Sequence, residues 1–137
     1  MATETQRTTT RFPGVVAYFS VSDTKAATAL YEKAFGAKLI DRQEVPDGRA
    51  VHCHLEVNGG PLMLNDAFPD HGHPLLPSQN FVLHISVDDP KAWWKRAVDA
   101  GLEIVVPLDV AFWGDMYGQL RDSFGQTWGI VGPASAG

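Results

Sequence analysis

The sequence predicts an α+β protein: two repeated βαβββ modules that form a cleft-bearing, partly open barrel. Three observations carry this prediction. Val15-Val16-Ala17-Tyr18-Phe19-Ser20-Val21-Ser22-Asp23 is matched, sixty-six residues later, by Phe81-Val82-Leu83-His84-Ile85-Ser86-Val87-Asp88-Asp89. Each copy is an alternating apolar strand that runs into a helix cap. Each is followed by apolar residues at helical spacing that stop at a glycine: Ala27, Leu30, Tyr31, Ala34 and Phe35 before Gly36, then Trp93, Trp94, Ala97 and Val98 before Gly101. Each half then closes through a tight turn, Asn58-Gly59-Gly60 in the first and Asp122-Ser123-Phe124-Gly125 in the second.

Taken in order, residues 1–11 are polar and Thr-rich and read as a disordered tail, and 133–137 as another. One domain lies between them, at 12–132, with module one at 12–66, a connector at 67–80 and module two at 81–132. Module one opens with a strand over 14–21. Ser22 or Asp23 caps the following helix, because a short oxygen-bearing side chain accepts from the unpaired N–H groups of the first turn. Strands follow near 38–45, 49–57 and 61–65. Module two repeats the plan with strands over 81–87, 103–107, 116–121 and 126–131. Its helix starts at Asp89-Pro90, where proline loses no hydrogen bond. The connector carries Pro69, Gly72, Pro74 and Pro77, and is long for a structureless loop, which marks it as a lid or a contact segment.

Composition narrows the class. A chain of 137 residues, 45% hydrophobic, is long enough for one proper core. A net charge of −5 argues against nucleic acid, whose binding rests on phosphate neutralisation. No apolar run approaches a membrane span. A single cysteine, Cys53, excludes an internal disulfide and suits a reducing interior, so the expected location is cytoplasmic.

Strand periodicity sorts side chains by face. Val51, Cys53, Leu55 and Val57 form an apolar face suited to the helix, while His52, His54 and Glu56 point the other way. The same sorting places Tyr18, Ser20, His84 and Ser86 with the histidines, and overlaying the two hairpins brings Tyr117, Gln119 and Arg121 opposite them. This mixed aromatic, imidazole and amide surface, lining a hollow between the sheets, suits an organic ligand.

These features resemble the vicinal oxygen chelate superfamily of glyoxalases, bleomycin-resistance proteins and extradiol dioxygenases. The run Phe112-Trp113-Gly114-Asp115-Met116-Tyr117-Gly118-Gln119-Leu120-Arg121-Asp122-Ser123-Phe124-Gly125 resembles its PhnB-like branch. The resemblance implies a homodimer, with Trp93 or Trp94 partly exposed at a subunit contact. It also implies metal-ligand positions at Val16, Leu64, Val82 and Gly129, or at Asn65 if the alignment slips by one. Hydrocarbon side chains cannot ligate a metal, so no cofactor is expected.

The expected function is metal-independent binding of a small organic ligand, similar to antibiotic-sequestering resistance proteins. Tyr18, His52, His54, His84, Trp113, Tyr117, Gln119 and Arg121 are the binding residues, with neither nucleic acid nor membrane as a partner. Arg121 either grips an anionic group or pairs with Glu56 or Asp122, and the pair is the favoured reading. The alternative is a lyase, isomerase or dioxygenase that uses His84 as acid or base, or a divalent metal on His52, His54 and His84. Cys53, on the apolar face, reads as an inert buried thiol.

Overall fold

The computed structural model describes residues 12–76 and 79–134. The expected tail at 1–11, part of the one at 133–137, and Pro77 and Ser78 of the connector lie outside the described residues. Module one comprises β1 (Tyr18–Val21), α1 (Thr24–Phe35), β2 (Lys38–Glu44), β3 (Ala50–Val57) and β4 (Gly60–Asp66). Module two comprises β5 (Leu83–Ser86), α2 (Pro90–Asp99), β6 (Glu103–Val110), β7 (Asp115–Arg121) and β8 (Thr127–Pro133). The two opening strands are shorter than their apolar alternation, and β8 runs on into Pro133, the first residue of the expected C-terminal tail. Each module is a four-stranded sheet, ordered β1-β4-β3-β2 and β5-β8-β7-β6, with its opening strand parallel to its last. Neither sheet closes into a barrel.

The caps act as their residue types predict. The Asp23 carboxylate accepts from the Lys25 and Ala26 N–H groups at 3.0 and 3.1 Å, and Asp89 accepts from Ala92 at 3.2 Å. Gly36 ends α1 at φ 66, and the Arg96 guanidinium passes 3.4 Å from where a Cβ there would stand, on its way to the Ala34 carbonyl. Buried Ala27, Tyr31, Ala34 and Phe35 give α1 its apolar stripe.

That stripe serves both modules. Phe35 packs on Trp128 of β8 with ring centroids 4.4 Å apart, Tyr31 packs on the same indole at 5.2 Å, and α1 lies against α2. One continuous core joins Phe19, Cys53, Leu55 and Leu64 of the first sheet to Ile85, Leu120, Trp128 and Ile130 of the second. The helices cover the apolar faces of the two sheets and pack on each other between them, so the polar faces point to opposite sides of the chain. This corrects the expectation of one hollow enclosed by the two polar faces. Trp93 and Trp94 are both half-buried against this core.

The connector has structure of its own. A 3-10 turn spans Pro69–His71, and Phe68 pairs with His73 across it. Arg49 anchors the segment: its guanidinium bonds Asp47 and Asp70, both at 2.8 Å, and lies 4.3 Å from the Phe68 ring centre. Hydrogen bonding to Arg49 holds the Asp70 carboxyl at about 2, below its ordinary 3.8. A depressed carboxylate contributes above its ordinary pKa and loses that contribution as pH falls through its folded value. The anchor is thus expected to hold at pH 4 and release toward pH 2. Carboxyl-carbon NMR titration should give Asp70 a midpoint near 2, and Arg49→Ala should return it toward the ordinary value.

Candidate functional site

The parallel pairing of β1 with β4 and their antiparallel partners set the first polar face. Tyr18, Met63 and His54 form one row across the sheet, and Ser20 pairs with Asn65 in the next. Ser20 donates to the Asn65 side-chain oxygen at 2.5 Å. The Tyr18 hydroxyl crosses to the Val51 carbonyl at 3.0 Å and lies 3.3 Å from His52 Nδ1. A phenol has one proton, and here it goes to the carbonyl. In the neutral ring, Nδ1 of His52 is then the donor to the phenol oxygen and Nε2 the acceptor. Burial raises the Tyr18 phenol above its ordinary range, so it keeps that proton. The ring of Phe12 packs edge-on against His54 at 5.2 Å.

The second polar face is aromatic. Trp113, Tyr117 and His84 form a chain of rings with centroid separations of 5.7 and 6.1 Å, the last pair stacked. Gln119 donates its amide to the Tyr117 hydroxyl at 2.8 Å. Gly129 makes room for this: a Cβ there would come within 3.1 Å of the Tyr117 hydroxyl and 3.0 Å of Val82. Phe112 and Trp113 project from the β6–β7 loop, Phe112 98% exposed and Trp113 50%.

Seven of the eight sequence-predicted binding residues thus form two groups, Tyr18, His52 and His54 on one sheet and His84, Trp113, Tyr117 and Gln119 on the other. Arg121, the eighth, is exposed at the end of β7 and forms none of the ion pairs expected with Glu56 or Asp122. Asp122 is instead buried and bonded to Tyr31 and Trp128. Cys53 is fully buried, as its face required.

The implied metal positions need one correction. Leu64 is fully buried in the core and pairs with Phe19, so it cannot reach a polar face. The offset that relates the strand openings relates Met63, not Leu64, to Gly129. Met63 was missed as a site residue and Asn65 was named only as an alternative metal position, although Leu62 and Leu64 alternate with them and signal the register. At the corrected positions stand Val16, Met63, Val82 and Gly129: two hydrocarbons, a soft thioether and a hydrogen. That donor set does not fit a divalent metal. Among the described residues no three His, Cys, Asp or Glu side chains converge, so His52, His54 and His84 are not brought together within the chain.

Two sheets of this topology, each with an open face of hydrogen-bonding and aromatic side chains, define a paired-module protein of the glyoxalase fold. The chain belongs to the Glyoxalase/Bleomycin resistance protein/Dioxygenase superfamily, whose family model matches residues 14–130. It is similar to the uncharacterized protein Rv0887c of Mycobacterium tuberculosis, 35% identical over 127 residues that cover 88% of this chain and 75% of that one. Among solved structures it is similar to TioX from Micromonospora sp. ML1, at 26% identity and a TM-score of 0.68, covering 86% of this chain and 96% of the other. It also superposes on protein PA1353 from Pseudomonas aeruginosa at 23% identity and a TM-score of 0.72, covering 87% and 96% of the two chains.

Proposed function

We propose that this protein binds a planar organic ligand without metal, and that it belongs to the PhnB-like branch that the Trp113–Gly125 run resembles. The observation that carries this reading is the complementarity of the two faces. One offers hydrogen-bonding groups, His52 Nε2 and the Asn65 amide; the other offers an aromatic platform of Trp113, Tyr117 and His84. The faces point apart within a chain, so the site is completed by a second copy, module one of one chain meeting module two of the other. Exposed Ile104, Val106, Val110 and Phe112 on and beside β6 supply apolar surface for that contact. A second reading, a lyase or isomerase, is favoured by His52, whose Nδ1 contact with the Tyr18 phenol leaves Nε2 to take a proton from a bound substrate.

The test is a thermal-shift screen of planar antibiotics and small anionic metabolites, on protein purified without tag or chelator and assayed for metal. Binding predicts a ligand that raises the melting temperature and is recovered unchanged. At a hundredfold excess over Kd the stabilisation is about 2.7 kcal/mol. His52→Ala and Tyr117→Ala should each weaken binding by roughly 1–2 kcal/mol, the scale of a hydrogen bond or ring contact. Stoichiometric metal whose removal abolishes the shift would defeat the metal-independent reading, and conversion of the ligand would replace binding by catalysis.

A further inference from the structure

The two apolar sheet faces do not fill the space between them. At the end that the helices leave open, where the β3–β4 turn meets β5, a cavity of about 310 Å³ lies on the seam between the modules. Its walls are Ala17, Val57 and Leu62 from the first sheet, and Leu83, Ile85 and Trp128 from the second. The sixty-six-residue repeat pairs Ala17 with Leu83 and Leu62 with Trp128, so the cavity sits where equivalent positions of the two modules face each other. Small residues on one side oppose large ones on the other. Had module one carried a leucine at Ala17, as module two does at Leu83, much of the space would be closed.

Two polar side chains of the wall are engaged in hydrogen bonds, and the third, exposed His84, is held by ring stacking. Asn58 Nδ2 donates to the Ser86 carbonyl at 3.0 Å and ties the turn to β5 across the seam. The Trp128 indole N–H is given to Asp122 at 2.9 Å. The His84 ring is stacked on Tyr117. Exposed Asn58 and His84 belong to the lining, so the cavity opens to solvent, and an uncharged guest that covers its apolar wall gains by removing that surface from water. A charged guest would lose part of its hydration there and meet no Lys, Arg, Asp or Glu side chain.

We propose that the seam is a second binding site, sharing only His84 with the polar faces, that takes a small uncharged aromatic molecule beside Trp128. This inference does not depend on the reading of the polar faces. The test is a toluene titration of the full chain, followed by methyl NMR. Saturable shifts are expected at Ala17, Leu62, Leu83 and Ile85, with none at these methyls from benzoate, the charged analogue. Ala17→Phe should fill the space and weaken toluene binding more than about tenfold. Leu62→Phe should do the same and serves if the first variant does not fold. The proposal is overturned if toluene produces no saturable shift at these methyls, if its shifts centre on Trp113 and Tyr117, if the filled variants bind it unchanged, or if benzoate competes at the same methyls.

Discussion

Replacing Asp122 by alanine is expected to lower the unfolding free energy by about 4 kcal/mol, the largest effect of any single polar substitution in this chain. The carboxylate is buried at the β7–β8 turn, and four donors converge on it. The Tyr31 hydroxyl lies at 2.5 Å and the Trp128 indole at 2.9 Å; the Phe124 and Gln126 N–H groups lie at 2.8 and 3.0 Å. Burial, and then the charge of Asp122, pushes the Tyr31 phenol far above its ordinary range, so it remains a donor at any pH that preserves the fold. Alanine leaves three buried donors and the half-buried Phe124 N–H without an acceptor, and each unsatisfied buried group costs about 1–3 kcal/mol, less than additively. Tyr31→Phe removes one donor and leaves the carboxylate three others, so it should cost only about 1 kcal/mol. Urea denaturation separates the two. A loss below about 1 kcal/mol for Asp122→Ala would show that water replaces the carboxylate and that the network contributes little. Because Tyr31 belongs to α1 and Asp122 to module two, the variant should also loosen the contact between modules.

A chain carrying Tyr18→Ala and His52→Ala, and one carrying Tyr117→Ala and Gln119→Ala, should each fail to bind the ligand that the screen returns. Mixed, they should recover roughly a quarter of the sites. The number follows from symmetry. Random pairing makes half of the dimers mixed, and each mixed dimer joins the intact first sheet of one chain to the intact second sheet of the other at one of its two sites. If both faces of a site came from one chain, mixing would restore nothing. Equilibrium binding on refolded mixtures distinguishes the two outcomes, and size-exclusion chromatography of the same samples confirms that the variants still associate.

The helices, their caps, the tight turns and the two-module plan were all legible in the sequence, because each rests on a local rule. Asp23 and Asp89 cap because their oxygens reach backbone N–H groups two or three residues on. His52 and His54 separate from Cys53 and Leu55 because a strand alternates every residue. Even the register of β4 was available, since Leu62, Leu64 and Asp66 are its buried residues and Met63 and Asn65 its polar-face ones. The metal position expected at Leu64 lies one residue off this register, since the repeat offset relates Leu64 to Ile130 and Met63 to Gly129.

The relation between the modules was not legible. An apolar strand face carries no mark that says whether it packs only on the helix of its own module or joins the other sheet. The hydrophobic effect that drives either arrangement is non-directional. Phe35 on Trp128, Tyr31 on Asp122 and Asn58 on Ser86 made that choice, through contacts between residues far apart in the chain. They turned the polar faces outward, left Arg121 in solvent and opened the seam beside Ala17. The sequence alone thus determined which side chains share a face. Where each face points follows from close packing of the whole core, which only the folded chain specifies.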